Sequence, residues 1–240
     1  SRGLGDVYKR QGMNGTVYTD CTGMGEGNVT TAKDTALLCS ELAKYKNLTP
    51  YLTCWLDTVR DGKAELVNLN RLVRTYKGVT GMKAWGSEKA GSCIAATAEK
   101  GDMSVCVVLN GCDSQEDMNA EAKKLLNLAF DTYEIYTPEL PEDMVKETVV
   151  CGGEELSVEL APKGLYPIVI PRGTYRMVEC DFTAEEKLDA PVENGETAGE
   201  IRYTMGGEVI LEGKIVACKE VKKMNFICGI KKLVYNLLSM

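Results

Sequence analysis

The chain has 240 residues, of which 44% are hydrophobic, and its formal net charge is −7. This composition predicts one or two domains with a hydrophobic core rather than a disordered chain, and the acidic balance argues against a nucleic-acid-binding protein. The chain contains no histidine. That absence excludes a Ser-His-Asp or Cys-His catalytic site, and any histidine-ligated metal, within these residues.

The ten cysteines are spread along the chain, and no two of them form a Cys-x-x-Cys pair. This spacing argues against a zinc site, and nothing else in the sequence predicts a metal or a cofactor. Cys93, Cys106 and Cys218 lie inside apolar runs, which favours buried free thiols that act as small hydrophobic residues. A disulfide framework stays open as the alternative for an exported protein.

Residues 1–11 are set apart from the rest of the chain. The segment Asp-Val-Tyr-Lys-Arg-Gln at residues 6–11 resembles a translated sequencing-adapter end. We therefore exclude residues 1–11 from fold prediction as an artefact. The coding sequence is then expected to begin in mid-gene, with a signal peptide further upstream.

The first predicted helix covers residues 30–46. Thr31 is a suitable N-cap, and Asp34 three residues later completes a capping-box pattern. Apolar residues at helical spacing predict the buried face of this helix: Leu37, Leu38, Leu42 and Tyr45.

The region that follows is less regular. Residues 50–59 are apolar and predict a short helix or strand, and residues 60–63 predict a turn. Asn68 and Asn70 are expected in a loop where their side chains bind nearby backbone groups. Direct contact with a substrate is the second interpretation of these two residues.

A lysine on the first strand of an antiparallel meander is the central feature of the sequence. Three apolar runs separated by short turns predict consecutive strands. The runs cover residues 79–84, 92–99 and 103–110. Lys83 lies near the end of the first run, and the small or turn-forming residues that follow it predict a tight connection.

A helix is predicted after the meander. Asp113 or Ser114 caps it, and Glu116 and Asp117 lie in its first turn. The predicted buried face consists of Met118, Ala122, Leu125, Leu126 and Ala129. We expect this helix to pack on the meander and to end near Asp131.

The composition changes after residue 133. Residues 134–200 contain sixteen acidic and five basic side chains, a local net charge of −11, together with six of the seven prolines. Short alternating runs separated by turn residues recur through this region and predict a small all-β sandwich. These runs cover residues 145–151, 156–161, 166–170, 175–182, 200–203 and 209–218.

Residues 222–240 close the chain with a reversed charge. From residue 219 onward there are five lysines and one glutamate, a net charge of +4. Apolar residues recur there at helical spacing, but the stretch is too short to span a bilayer. We predict an amphipathic helix that rests on an anionic membrane surface. A helix docked on the preceding β-domain is the alternative.

Residues 81–91, Gly-Met-Lys-Ala-Trp-Gly-Ser-Glu-Lys-Ala-Gly, resemble the third motif of a known family. This family is the serine-type D-Ala-D-Ala carboxypeptidases, the low-molecular-mass penicillin-binding proteins of the S11 peptidase family. Their motif reads Lys-Thr-Gly, any residue, Thr or Ser, and then Ala-Gly. Lys83, Ser87, Ala90 and Gly91 fall in register with it, whereas Ala84 replaces the Thr and Trp85 replaces the Gly. Weaker likenesses cover residues 12–24, 30–38, 68–73 and 194–199.

The resemblance implies an α+β fold. Its first part is a partial penicillin-binding or β-lactamase-like domain made of helices and the antiparallel meander, over residues 12–132. A small all-β sandwich domain follows at residues 133–220, and a C-terminal amphipathic membrane-anchor helix occupies residues 221–240.

The resemblance also implies a function. Such an enzyme removes the terminal D-Ala from peptidoglycan stem pentapeptides through a serine acyl-enzyme, reacts with β-lactams, and works outside the cytoplasm at the cell membrane. Its Ser-x-x-Lys and Ser-x-Asn motifs have no counterpart in context here, and we expect them upstream of Gly12. No nucleophile is therefore assigned.

Five consecutive residues are implied to form the site. Lys83 is the catalytic residue that supplies positive charge near the serine and the substrate's terminal carboxylate. The backbone N–H of Gly86 completes an oxyanion hole, and the Ser87 hydroxyl helps to hold the carboxylate. Ala84 and Trp85 occupy substrate-binding positions. Ala84 lacks the expected hydroxyl, a loss of about 1.5–3 kcal/mol for a hydrogen bond to a charged group, and Trp85 places a ring where glycine gives the substrate room.

Two further hypotheses stay open on the sequence alone. The altered motif is compatible with a catalytically inactive homologue that acts as a cell-wall scaffold or binding protein. Without the resemblance, the chain is an acidic two-domain binding protein with a lipid-docking tail, and Lys83 is a solvated strand residue.

Overall fold

The computed structural model describes residues 9–20, 27–226 and 229–230. The chain divides into two compact units, Ser1–Tyr133 and Glu134–Met240. Residues 1–8 of the segment attributed to an adapter lie outside the described residues, as do residues 227–228 and 231–240 of the predicted C-terminal helix.

Helices and a three-stranded antiparallel sheet form the first unit. Its elements in chain order are α1 (Ala32–Ala43), a 3₁₀ helix (Lys46–Leu48), α2 (Thr49–Leu52), β1 (Leu56–Val59), β2 (Ala64–Val67), α3 (Leu72–Thr75), β3 (Val79–Ser87), β4 (Gly91–Lys100), β5 (Met103–Cys112) and α4 (Gln115–Thr132). Strands β3, β4 and β5 are hydrogen-bonded in that order, which confirms the predicted meander. Helices α1 and α4 both pack on β4 and β5.

Helix α4 begins and ends close to the predicted positions. The Ser114 Oγ accepts a hydrogen bond of 3.0 Å from the Asp117 N–H, so Ser114 is the N-cap. The buried residues of α4 are Met118, Ala122, Leu126 and Phe130. The prediction of Leu125 is wrong, since its side chain is exposed. The buried residues are spaced four apart and lie on one face of the helix. Phe130 belongs to this face, and Leu125 does not.

The capping box predicted for α1 is only half correct. The Thr31 Oγ1 accepts a hydrogen bond of 3.1 Å from the Asp34 N–H, as expected of an N-cap. The Asp34 carboxylate instead accepts hydrogen bonds from the Gly15 N–H at 2.8 Å and from the Thr16 Oγ1 at 2.6 Å. Because Asp34 is only 4% exposed, this buried carboxylate fixes the preceding segment of the chain to the start of α1.

The predicted apolar face of α1 is only partly correct. Leu38 and Leu42 are partly buried, and Leu42 packs against the cluster that contains Cys39. Leu37 and Tyr45 are exposed, and the helix buries Thr35 and Cys39 beside Asp34. Thr35 and Cys39 are four residues apart and therefore share a face. The Thr35 Oγ1 donates a 2.9 Å hydrogen bond to the Thr31 carbonyl, so its hydroxyl is buried with a partner.

A short hairpin of β1 and β2 precedes the main sheet. The turn predicted at residues 60–63 is confirmed, and Arg60, Asp61 and Gly62 in it have φ values of 56°, 55° and 80°. Strand β2 is absent from the sequence prediction. The residues of both hairpin strands are mostly exposed, so the alternation of buried and exposed positions that marks a strand is missing there.

The second unit is built from strands, as predicted. Its elements are β6 (Tyr133–Tyr136), β7 (Glu147–Cys151), β8 (Ser157–Lys163), β9 (Ile168–Pro171), a 3₁₀ helix (Tyr175–Met177), β10 (Val178–Ala184), β11 (Lys187–Asp189), β12 (Thr197–Met205) and β13 (Glu208–Ala217). Six strands form a sheet in the order β10-β12-β13-β8-β7-β11, and β6 pairs with β9. Strands β6 and β11 were not predicted.

One core joins the two sheets of this unit. Ile170 on β9 and Ile201, Tyr203 and Ile215 on the larger sheet belong to the same buried cluster. The Tyr203 hydroxyl donates a 2.9 Å hydrogen bond to the Glu139 carbonyl. Tyr203 therefore buries its ring without leaving its hydroxyl unpaired.

We expect Asp34→Ala to lower the free energy of unfolding of the first unit by about 3 kcal/mol, because hydrogen bonds to a buried carboxylate are lost. Urea denaturation followed by tryptophan fluorescence measures the change, since Trp55 and Trp85 both lie in this unit. Asp102→Ala, in the exposed turn between β4 and β5, is the matched control and should change stability by less than about 0.5 kcal/mol. Equal losses in the two variants would contradict the anchoring role of Asp34.

Candidate functional site

The candidate site is built on β3, the edge strand of the meander. Strand β3 pairs with β4 and, in the part of the chain that the structure describes, with no other strand. Alternate N–H and C=O groups of an edge strand point away from the sheet and are open to a ligand. In the register of the pair, Lys83 lies opposite Ala95 and Ser87 lies opposite Gly91.

Lys83 is the exposed residue in the middle of β3. Its neighbours Met82 and Ala84 are buried, which follows from the alternation of side chains along a strand. Within the described residues, Lys83 has no ion pair and no side-chain hydrogen bond. Its ammonium group is therefore available to an anionic ligand at the edge of the sheet.

The side chains of the two residues that depart from the family motif are at least partly buried. Ala84 is 4% exposed. Trp85 is partly buried and packs against a cluster that contains Cys39, Met82 and Ala95. The indole ring thus forms part of the packing between α1 and the sheet.

Gly86 and Ser87 are exposed at the end of β3. The Ser87 Oγ accepts a 3.0 Å hydrogen bond from the Ala90 N–H, so it stabilises the turn into β4 and keeps its own O–H to donate. A Cβ atom at position 86 would lie 3.0 Å from the Gly91 carbonyl oxygen. A side chain at position 86 would therefore be crowded by the partner strand, which favours glycine there.

Asn70 holds the first part of β3 in position, and the sequence predicted only some of its hydrogen bonds. Its side chain is fully buried, donates through Nδ2 to the Gly81 carbonyl at 3.3 Å, and accepts through Oδ1 from the Leu72 N–H at 3.1 Å. The predicted bonding to local backbone is confirmed, since the Asn70 N–H also binds the Asn68 Oδ1. The bond to Gly81 was missed because it reaches beyond the local turn.

The arrangement supplies three chemical groups to a ligand. It has the positive charge of Lys83, the hydroxyl of Ser87 and the open backbone edge of β3. Among the described residues, no serine or cysteine is hydrogen-bonded to Lys83. Groups of this kind are suited to a ligand with a carbonyl or carboxylate oxygen.

Two family profiles match consecutive parts of the chain. The profile described as D-alanyl-D-alanine carboxypeptidase matches residues 5–113. The profile described as the C-terminal domain of penicillin-binding protein 5 matches residues 130–223. The first match includes β3 and the whole meander, and the second covers the strands of the second unit.

Curated relatives carry the same description. The chain is 30% identical over 229 residues to D-alanyl-D-alanine carboxypeptidase DacF of Bacillus subtilis, with 93% of this chain and 59% of the relative covered. It is 28% identical over 228 residues to DacC of Escherichia coli, with 93% and 57% covered. The chain thus spans less than two thirds of the length of these relatives.

A solved structure has the same fold. Penicillin-binding protein 5 from Haemophilus influenzae superimposes with a TM-score of 0.76 at 22% identity, over 92% of this chain and 65% of that chain. The similarity supports the fold described above for each unit.

Asn70→Ala is expected to lower the free energy of unfolding of the first unit by about 2 kcal/mol. The substitution leaves the Gly81 carbonyl and the Leu72 N–H without partners in a buried position. Thermal unfolding followed by tryptophan fluorescence measures this loss. Asn110→Ala, at an exposed position of β5, is the matched control, and a loss at Asn70 no greater than at Asn110 would refute the positioning role.

Proposed function

Because this chain belongs to the serine-type D-alanyl-D-alanine carboxypeptidase family, we propose that it is part of an enzyme that removes the terminal D-Ala from peptidoglycan stem pentapeptides. The reaction proceeds through an acyl-enzyme on a serine. No Ser-x-x-Lys segment occurs among the 240 residues. The proposal therefore assigns the nucleophile to the rest of a longer protein and the substrate-binding strand to this chain.

The observation that carries the proposal is the exposed ammonium group of Lys83 on an open strand edge. A peptide substrate binds such an edge as an added strand, because its backbone meets the free N–H and C=O groups of β3. Lys83 then attracts the terminal carboxylate of the D-Ala-D-Ala end of the stem peptide.

Lys83, Gly86 and Ser87 divide the chemistry between them. The Lys83 ammonium stabilises negative charge on the substrate and near the attacking serine. The Gly86 N–H donates to the carbonyl oxygen as it becomes an oxyanion. Ser87 uses its remaining O–H to donate to the substrate carboxylate, while its Oγ stays bound to the Ala90 N–H.

The replacements at 84 and 85 support the interpretation of an inactive homologue less than the sequence alone implied. Trp85 packs on the cluster around Cys39 and Ala95, and Ala84 is buried. In our proposal both residues contribute backbone groups to substrate binding while their side chains contribute to packing. The curated relatives named above are carboxypeptidases, and they give the inactive scaffold no support.

β-Lactams are proposed as inhibitors, because they mimic the D-Ala-D-Ala bond that acylates the serine. The site of action is proposed to be outside the cytoplasm.

We further propose that the chain divides into domains at residues 12–132, 133–220 and 221–240. The strand β6 begins at Tyr133, which supports a boundary there.

In the longer protein that contains this chain, Lys83→Ala should reduce the rate of acylation by a fluorescent penicillin by about 10²-fold, because one electrostatic contact to the reacting group is lost. The labelling rate is measured from the gel fluorescence of samples quenched at successive times. Lys100→Ala, at the exposed end of β4, should label as fast as the parent protein. Labelling of the Lys83 variant at the parental rate would exclude the proposed role, and absence of labelling in the parent would exclude the enzyme.

A membrane surface is proposed as a partner through residues 222–240. No described helix is long and apolar enough to cross a bilayer. The first part of the segment is attached to the β-domain, since Lys223 forms a β-bridge with Gly153 and Val221 forms one with Val192. Phe226 follows and is 83% exposed. An exposed aromatic residue next to lysines favours contact with anionic lipid.

A truncation that tests this proposal has to keep Val221 and Lys223, which are attached to the β-domain. Deletion of residues 226–240 leaves both β-bridges intact and should abolish co-sedimentation with vesicles that contain phosphatidylglycerol. The parent chain should bind these vesicles, and binding should decrease as salt rises. If the parent and the truncated chain sediment equally, the tail is not the membrane contact.

A further inference from the structure

A groove of about 570 Å³ lies across β8, β12 and β13 of the second unit. Its volume falls in the range of about 300–1,000 Å³ that is usual for small-molecule sites. The charged and hydroxyl side chains that line it are Lys163, Thr197, Glu200, Arg202, Glu212 and Lys214. The proposed carboxypeptidase activity uses none of these residues, so a ligand bound here would have a separate role.

The two lysines of the groove are direct neighbours on adjacent strands. Lys214 on β13 is opposite Lys163 on β8 in the antiparallel register, and both side chains are exposed. Directly opposite residues project from the same face of a sheet, with Cβ atoms about 4.5–5.5 Å apart, and like charges in this position are destabilising. An anion between the two ammonium groups would remove this repulsion.

The carboxylates of the groove are bound to a different cation. The Arg202 Nη2 donates to the Glu200 Oε2 at 2.7 Å, and the Arg202 Nε lies 3.3 Å from the Glu212 Oε1. Glu200 is opposite Lys214 in the register of β12 and β13, but its carboxylate is turned to the arginine. Within the described residues, Lys163 and Lys214 form no ion pair. Their two positive charges are therefore available to a ligand.

We propose that Lys163 and Lys214 form a binding site for a phosphate group, either free or carried by a small molecule. An ammonium group offers only donors, and the free oxygens of a phosphate are strong acceptors. A phosphate monoester carries about two negative charges at neutral pH, whereas a carboxylate carries one. Phosphate therefore matches both lysines, and each contact is a charge-assisted hydrogen bond.

The rest of the lining restricts the ligand to a compact one. Residues 134–200 have a net charge of −11, and Glu200 and Glu212 lie in the groove itself. These carboxylates repel a long polyanion that extends past the lysines. The Thr197 hydroxyl can donate to or accept from the part of the ligand next to the phosphate. The groove thus suits a single phosphate and has room for a small hydroxyl-bearing group beside it.

Calorimetric titration of the 240-residue chain with glycerol 3-phosphate and, separately, with inorganic phosphate tests the proposal. We expect both to bind, with an affinity that falls as sodium chloride is added. Tighter binding of glycerol 3-phosphate assigns the groove to an organic phosphate, and equal binding assigns it to free phosphate. In the ¹⁵N–¹H spectrum of the labelled chain, the amide signals of Gly164, Gly213 and Lys214 should shift during either titration.

Two variants separate this site from general attraction of anions. The double variant Lys163→Gln, Lys214→Gln should bind either probe about tenfold more weakly or worse, because two charge-assisted hydrogen bonds are lost. Lys187→Gln removes an exposed lysine of β11 outside the groove and should bind within about twofold of the parent chain.

The proposal is overturned if the parent chain binds neither probe, or if the double variant binds both as tightly as the parent. Shifts of amide signals confined to residues outside the groove would also overturn it. The spectrum of the parent chain decides this last point without any variant.

Discussion

The open edge of β3 is the constraint on which the account of the first unit depends. A strand paired on one side only presents backbone groups that are costly to bury without partners. In this chain the same strand places Lys83 and Ser87 at the surface, while Ala84 is buried and Trp85 is partly buried in the packing against α1. In our proposal, a peptide that pairs with the edge satisfies the backbone groups and brings its carboxylate to the lysine, so recognition follows from the open side of the sheet.

Buried polar side chains hold this edge in place. Asn70 connects the turn before α3 to Gly81, two residues ahead of Lys83. Asp34 connects the start of α1 to Gly15 and Thr16. Each of these side chains costs desolvation unless its hydrogen bonds are made. They therefore favour a single arrangement of the loops around the sheet. Apolar contacts are not directional and would favour that arrangement less strongly.

The sequence predicted the parts of the fold whose signals are local. Alternation marked the strands of the meander and most of the second unit, and Thr31 and Ser114 marked two helix starts. The β1–β2 hairpin was missed because its strands are exposed on both faces and show no alternation. The buried face of α1 was misassigned in part because Thr35 and Asp34 are polar, and only their partners in space make them interior residues. The contact from Asn70 to Gly81 depends on tertiary structure and has no local pattern.

The most direct measurement is a crystal structure of the longer protein after reaction with a β-lactam. Our account predicts an acyl group that lies antiparallel along β3. Its carboxylate should be within hydrogen-bond distance of the Lys83 Nζ, and its ester carbonyl oxygen should accept from the Gly86 N–H. An acyl group bound away from β3, with Lys83 pointing into solvent, would contradict the assignment of this strand as the substrate-binding edge.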